Sequence, residues 1–359
     1  MIQLTRKKED TLVGLEIETG SVAAAEVRSG GAPELMSTAI APLPPEVFQD
    51  GEVTNPAALT EALKSLFADN KLSKRVRLGI ANQRVVVRTM RLPAIDDPKE
   101  LDAAIKFQAQ EQIPMPIDQA VIDHRVIGGT PPSDDAPAQI DVVVVAARHD
   151  MITASLAPLH AAGLDPIGVD LSAFGMIRAL AGQGKPTQAE EEQQGPLATL
   201  YCNVGDITNL AVARDRSCLF TRVAPFGLED VIASLTASAG LTSEHARMWV
   251  NHVGLAQPVE GIEGDPAIVA EARAALESGA SSLRDELRLS LDFYGAQEGM
   301  VPVQQVVLCG PGSAVPGLVS QMEAALGLPF SIGRPQALAE LDDASAARLT
   351  LPFGLALDE

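Results

Sequence analysis

The chain has 359 residues, of which 46% are hydrophobic and 21% are charged, a composition typical of a folded protein with room for two domains. Its formal net charge of -20 argues against broad contact with nucleic acid or anionic lipid, because both need cationic side chains. No apolar run approaches the roughly 20 residues that cross a bilayer, and the first residues lack the apolar core of a signal peptide. We therefore expect a cytoplasmic protein.

The first predicted element is a strand, turn and strand over residues 12–27, with Thr19, Gly20 and Ser21 in the turn. A loop follows, and Asn55-Pro56 is typical of a helix start. The later elements of this half are a helix over 57–70, strands over 77–81 and 85–92, a helix over 99–112, strands over 120–127 and 140–146, a helix over 150–162, a strand over 166–170 and a helix over 171–181.

A second strand, turn and strand lies at residues 197–222, and its turn holds Gly205, Asp206 and Thr208. A glycine beside Asp and Thr lets backbone N–H groups and a hydroxyl converge on an anion, so both turns are candidate phosphate-binding turns. A single turn of this composition is also common in hairpins that bind no ligand. Its repetition indicates an internal duplication, and residues 182–195 between the halves have the composition of a linker.

The second half continues with three predicted helices, over 228–239, 242–252 and 267–298. A strand over 304–308 then enters Gly310, Pro311, Gly312 and Ser313 and a helix that ends at Gly327. A strand, a glycine-rich turn and a helix N-terminus can bind an anion or a nucleotide. Tight packing alone would also explain the glycines of this turn.

Metal chemistry has little support in the sequence. The three cysteines, Cys202, Cys218 and Cys309, lie within or against apolar strands, and the five histidines show no ligand spacing. We interpret the cysteines as small core residues and predict no metal site of protein side chains alone.

The order of two hairpin turns and a late strand, GPGS turn and helix resembles the actin and hexokinase superfamily. Within it, the chain resembles the PilM family of type IV pilus assembly, relatives of the cell-division protein FtsA. Two stretches carry this resemblance: residues 90–129, with Leu92-Pro93, an acidic helix and a Pro114-Met115-Pro116 stop, and residues 141–180, with an Ala-Gly-Leu turn at 162–164.

The resemblance implies a ribonuclease H-like, duplicated actin-like α/β fold with two domains. Domain I would comprise residues 1–81, 160–185 and 351–359, and an inserted α+β subdomain would occupy residues 82–159. Residues 186–195 would be a linker to domain II at 196–350, which would include a helical subdomain at about 228–300.

The resemblance also implies a function, because PilM proteins are described as binding the cytoplasmic N-terminal tail of the inner-membrane protein PilN beside the inserted subdomain. We expect a scaffold at the inner face of the cytoplasmic membrane that contacts other inner-membrane and motor components, with no nucleic-acid partner and no membrane insertion of its own. The candidate groove residues are Arg88, Arg91 and Phe107, on a strand and a helix that could accept an extended peptide. Core packing is the favoured alternative for Phe107, and a solvated face is the favoured alternative for the two arginines.

PilM proteins are further described as binding ATP, with Mg²⁺, between the domains. The corresponding residues here are Thr19, Gly20, Ser21, Gly205, Asp206, Thr208, Gly310, Pro311, Gly312 and Ser313.

The first of these turns departs from the family pattern. Glu16 stands at the position of the magnesium-coordinating aspartate, Glu18 replaces a glycine and Ala23 replaces a lysine. A carboxylate about 4 Å from a phosphate costs on the order of 1 kcal/mol in water and several in a partly dry cleft.

The second turn departs too, because Asn203 replaces an aspartate. Asp206 could substitute for that aspartate, although its side chain is expected to point elsewhere on the turn. In the adenine-facing helix, Ala246 is followed by Arg247 instead of glutamate. We therefore predict weak or lost nucleotide binding, no catalytic residue and no enzyme. The alternative is a working ATPase or kinase, which would need a carboxylate base and a magnesium site.

Overall fold

The computed structural model describes residues 11–29, 32–132, 137–181, 196–297 and 299–358, so the predicted linker at 186–195 lies outside the described residues. The first half contains a five-stranded sheet and its helices. Its elements before the insertion are β1 (Thr11–Glu18), β2 (Ser21–Arg28), β3 (Glu34–Pro42), β4 (Phe48–Gln49), β5 (Glu52–Val53), α1 (Pro56–Asn70) and β6 (Arg75–Ile80).

The inserted segment forms a separate three-stranded antiparallel sheet with one helix, and the chain then returns to the first sheet. The inserted elements are β7 (Val86–Pro93), α2 (Pro98–Gln112), β8 (Ala120–Thr130) and β9 (Gln139–Arg148). The returning elements are α3 (His149–Ala161), β10 (Asp165–Leu171) and α4 (Ser172–Leu180).

The second half contains the second five-stranded sheet. Its elements are β11 (Ala198–Val204), β12 (Thr208–Arg214), β13 (Ser217–Ala224), α5 (Leu228–Ala239), α6 (Ser243–Val253), α7 (Pro266–Gly295), β14 (Val303–Cys309), α8 (Leu318–Leu326), β15 (Phe330–Ile332) and α9 (Asp343–Ala356). In the part of the chain that the structure describes, no helix is long and apolar enough to span a bilayer.

The two large sheets have the same topology. The first has the order β10-β6-β1-β2-β3 and the second the order β15-β14-β11-β12-β13. In each, three consecutive strands pair antiparallel and two later strands add in parallel beside the first of them. The predicted duplicated two-domain α/β fold is therefore confirmed.

Side-chain alternation decides which face of each sheet is covered by which helices. In β1, Val13, Leu15 and Ile17 pack with the apolar faces of α1 and α3, so Glu16 and Glu18 point to the opposite face. Helices α4 and α9 lie on that opposite face, with α9 on β1 and β2 and α4 in contact with both sheets. The domain boundaries themselves stay a prediction.

Local signals explain the inserted subdomain. Helix α2 begins at Pro98, and the Asp97 carboxylate accepts from the N–H groups of Lys99 and Glu100. Ile105 and Ala109 of α2 pack on one face of the inserted sheet. Its other face carries the alternate residues of β8 and β9, which α2 leaves uncovered.

Candidate functional site

The two predicted phosphate-binding turns contact each other directly. The Thr19 N–H donates to Oδ2 of Asp206 at 2.8 Å, and the Thr19 hydroxyl lies 3.0 Å from the same oxygen. The side chain of Asp206, expected to point elsewhere, instead crosses from the β11–β12 turn to the β1–β2 turn. The Thr19 N–H, which the first turn would otherwise donate to a phosphate, is thus taken by a carboxylate of the second half.

Glu18 makes the reverse contact. Its carboxylate lies against the Cα of Gly205, where a Cβ would collide with Oε1 of Glu18. The backbone N–H of Asp206 hydrogen-bonds to the Glu18 carboxylate. Each turn therefore holds the carboxylate of the other turn.

The carboxyl groups of Glu16, Glu18 and Asp206 all have raised pKa values. Burial, and then the negative charge of Asp206, raises the pKa of Glu18 to about 8, while Arg348 acts in the opposite direction. Burial, and then Glu18 and Asp206, raises the pKa of Glu16 well above its ordinary value. Burial also raises the pKa of Asp206, against the hydrogen bonds from Thr19. Glu18 therefore retains, at neutral pH, a proton that an exposed glutamate would release.

Two arginines complete the contacts around the first turn. Nη1 of Arg348 in α9 donates to Oγ of Ser21 at 2.9 Å. Nη2 of Arg247 in α6 donates to Oε2 of Glu229 in α5 at 2.6 Å, and the same atom lies beside Gly20. The arginine that departs from the adenine-facing pattern is therefore engaged within the protein.

The third turn packs tightly on the second. A Cβ on Gly310 would collide with Oδ1 of Asn203, and one on Gly312 would collide with Val204. Ser313 is buried, and its hydroxyl donates to the Gly310 carbonyl at 2.7 Å. Packing thus accounts for both glycines without a ligand.

The remaining predicted nucleotide positions have other partners. The Thr208 hydroxyl donates to the Phe226 carbonyl at 2.6 Å. Ala23 is buried beneath α9, in one cluster with Phe353. Pro311 lines a small cavity together with Arg247 and Arg348. None of these groups is directed at an open space between the turns.

The space around the turns does not fit a nucleotide. The cavity beside Glu16, Glu18 and Asp206 has a volume of about 30 Å³, and the one beside Arg247 and Arg348 has about 50 Å³. Pockets for small ligands are typically about 300–1,000 Å³. Across the described ranges, no three His, Cys, Asp or Glu residues are arranged to hold a metal ion. The residues present therefore do not fit Mg-ATP.

A much larger groove, of about 780 Å³, lies beside the inserted sheet. It runs between the face of β8 and β9 that α2 leaves uncovered, strand β10, helix α4 and the β12–β13 turn. Val121, Val126 and Ile167 line it and are 42%, 46% and 43% exposed. Sequence reasoning missed these residues, because β8 mixes apolar and charged residues on its uncovered face, with Asp123 and Arg125 beside Val121.

Two edge strands and several charged side chains border this groove. Strand β10 is an edge of the first sheet and β8 is an edge of the inserted sheet. Arg178 in α4 pairs with Asp170 in β10, and both side chains are largely buried. Arg77 donates to the carbonyls of Leu355 and Leu357 at 2.9 and 2.7 Å. Arg77, Asp170 and Arg178 line the groove, and their side chains are held in place by contacts within the protein.

The three predicted groove candidates are not brought together. Arg88 is exposed and lines a different cavity, of about 640 Å³, between β7 and β13. Arg91 pairs with Asp141 at 2.8 Å across β7 and β9. Phe107 is 71% exposed on α2. None of them lines the groove of 780 Å³, and their role in partner binding stays a prediction.

Comparison with known proteins identifies the family. The family described as "Type IV pilus assembly protein PilM" matches residues 14–356. The chain belongs to the PilM family of type IV pilus assembly proteins. A solved "PilM-PilN type IV pilus biogenesis complex" is 25% identical to this chain, with a TM-score of 0.77, and the match covers 96% of this chain and 97% of that one.

More distant structures share the fold with this PilM-family chain. The ethanolamine utilization protein EutJ from Carboxydothermus hydrogenoformans has a TM-score of 0.55 at 13% identity, over 97% of this chain and 89% of that one. An MreB protein of Spiroplasma citri bound to AMPPNP has a TM-score of 0.51 at 12% identity, over 96% and 94%. These likenesses confirm the actin-like fold of the PilM-family chain.

Proposed function

We propose that this chain is a scaffold of type IV pilus assembly that binds the N-terminal cytoplasmic tail of a PilN-like inner-membrane protein in the groove of 780 Å³. The groove carries the proposal, because it is far larger than the cavities at the predicted nucleotide turns. The full-length similarity to a chain of a PilM–PilN complex supports a partner of the same class.

An extended tail suits the groove. Two sheet edges, β8 and β10, face it, and an edge offers unpaired backbone groups to an added strand. Val121 and Ile167 offer apolar contacts to the side chains of such a strand. We therefore expect recognition by backbone hydrogen bonds together with a few buried apolar side chains.

The proposed partner also determines where in the cell the scaffold lies. A protein attached to a tail of this kind sits at the inner face of the cytoplasmic membrane without inserting into it. From there it would transmit movements between PilN-like proteins and other inner-membrane and motor components of the pilus machine.

Two matched variants test the groove. The probe is a synthetic peptide with the N-terminal tail of the PilN-family protein from the same organism. Val121→Asp places a charge on the uncovered sheet face that lines the groove and should weaken binding about tenfold or more, because one buried apolar side chain contributes about 1.5–3 kcal/mol. Val259→Asp changes an exposed valine of the helical region, outside the groove, and should leave the affinity unchanged.

The same titration compares the groove with the predicted candidates. Phe107→Ala removes an exposed ring from α2 and should have no effect if the groove is the site. Weakened binding in Phe107→Ala together with normal binding in Val121→Asp would contradict the groove and move the site to α2.

We further propose that nucleotide binding is weak or absent and that the chain is not an enzyme. The carboxylates in both turns and the small cavities support this. Isothermal titration with Mg-ATP should show nothing tighter than about 1 mM, a free energy near -4 kcal/mol. The chain has one tryptophan, Trp249, two positions from Arg247 in α6, so its fluorescence gives a second readout. Micromolar binding by either method would favour the ATPase alternative.

A further inference from the structure

The contact between the two hairpin turns joins the two halves of the chain. Thr19 and Asp206 are 187 positions apart in sequence, and both hydrogen bonds between them cross from the first domain to the second. The Glu18 carboxylate crosses in the opposite direction to the backbone of Gly205 and Asp206. A pair of crossed contacts of this kind resists separation of the turns more than one contact alone.

The chemistry of both contacts is that of an anion in a hairpin turn. Backbone N–H groups at such turns bind phosphate or carboxylate oxygens, and hydrogen bonds to a charged acceptor are stronger than neutral ones. In this chain the donor of each turn is occupied by a carboxylate from the same molecule. We propose that Glu18 and Asp206 form a reciprocal clasp that closes the cleft between the domains without a nucleotide.

The charges around the clasp are compatible with a closed state. Two adjacent ionised carboxylates would repel each other, but the raised pKa of Glu18 leaves it largely protonated at neutral pH. Arg348 from α9 offsets the remaining negative charge of the cluster, and Arg247 from α6 neutralises Glu229 from α5. Closure therefore does not need an added cation.

Closure also bears on the large groove. Arg216, Ser217 and Cys218 of the second half line the groove together with residues of the first half and the inserted sheet. A rotation that opened the cleft would move these residues relative to β10 and α4. The clasp thus fixes the width of the groove, although its own test does not involve the partner.

Domain closure can be measured with two engineered labels. The three native cysteines are buried, so Ser65→Cys on α1 and Ser320→Cys on α8, both at exposed positions, accept spin labels selectively. In the otherwise unchanged chain we expect one narrow distance distribution that millimolar Mg-ATP does not alter. With Asp206→Ala the distribution should broaden and shift to longer distances, whereas Glu323→Ala, an exposed carboxylate on α8, should leave it unchanged.

The Thr19 amide gives an independent readout, because its N–H donates to Asp206. Its hydrogen exchange should become about tenfold to a hundredfold faster in Asp206→Ala, as expected for the loss of a hydrogen bond to a charged acceptor. Asp206→Asn keeps an acceptor oxygen and should retain the narrow distribution. If Asp206→Ala fails to fold, Thr19→Val removes the hydroxyl, which lies 3.0 Å from both Asp206 Oδ2 and the Phe48 carbonyl, keeps the N–H, and should give a smaller change in the same direction.

Two results would overturn the clasp. One is an Asp206→Ala protein, folded by circular dichroism, with the same distances and the same Thr19 exchange as the parent. The other is a parent protein that is already broadly distributed and narrows only with Mg-ATP. Neither readout uses the partner tail, so failure of the clasp is distinguishable from failure of the proposed scaffold function.

Discussion

Replacing Glu18 by glutamine should change how stability depends on pH. Burial and the neighbouring Asp206 raise the pKa of Glu18 from an ordinary 4.5 to about 8. The folded protein therefore holds a proton that the unfolded chain releases above about pH 4.5. The contribution of Glu18 to the free energy of unfolding is fully present below about pH 4.5 and is lost as the pH rises through about 8.

The size of the effect follows from the displacement of the pKa. At about 1.4 kcal/mol per pH unit, a shift from 4.5 to about 8 corresponds to an upper limit on the order of 5 kcal/mol. Glu18 is half-buried and shares its environment with Glu16 and Asp206, so we expect about half of that limit, roughly 2–3 kcal/mol.

Glu18→Gln has a nearly identical shape, and its amide oxygen can accept from the Asp206 N–H, but it does not titrate. Urea unfolding at several pH values should give equal stability for variant and parent near pH 5. Near pH 8 the variant should be more stable by about 2 kcal/mol, because the parent has lost the contribution of the proton.

The matched control is Glu323→Gln, an exposed carboxyl on α8 that should reproduce the parent curve at every pH. Parallel curves for Glu18→Gln and the parent would refute the reasoning. A variant that is less stable than the parent near pH 8 would refute it as well, since the charged carboxylate would then be a net stabilising partner.

Three further predictions concern other contacts. Gly312→Ala places a methyl group against Val204 and should cost about 1–3 kcal/mol by thermal unfolding, whereas Gly128→Ala in β8 meets open space and should cost far less. Asp170→Ala leaves Arg178 buried without its carboxylate and should cost about 3–5 kcal/mol, whereas loss of a more exposed pair such as Arg91–Asp141 should cost under about 1 kcal/mol. The three native thiols are buried, with burial raising their pKa values, and should react with a thiol reagent only after unfolding; fast reaction of the native protein would contradict their placement.

Sequence patterns predicted those elements that are long or strongly apolar. The hairpins of β1–β2 and β11–β12 and the helix α5 lie where their periodicity placed them. β3, β15 and α9 are among the elements that were not predicted. β3 is half-exposed along most of its length, β15 has three residues, and α9 contains Pro352 and Gly354. In α9, burial between the sheets holds a helix that local propensity opposes.

The candidate site, like the fold, was only partly predictable from the sequence. The replacement of a glycine by Glu18 was visible in the sequence and predicted a disturbed nucleotide site. The direction of the Asp206 side chain was not predictable, because its acceptor role depends on Thr19, 187 positions away, and on how the two halves meet. The large groove depends likewise on the packing of the inserted sheet against β10 and α4, which no local pattern encodes.

Binding of the partner tail with and without nucleotide tests the central claim most directly. The measurement is fluorescence anisotropy of the labelled tail peptide of the PilN-family protein, titrated with the intact chain in the absence and in the presence of millimolar Mg-ATP. A scaffold that is closed by its own residues predicts the same dissociation constant in both. Binding that requires Mg-ATP, or that strengthens about tenfold with it, would contradict a nucleotide-independent scaffold.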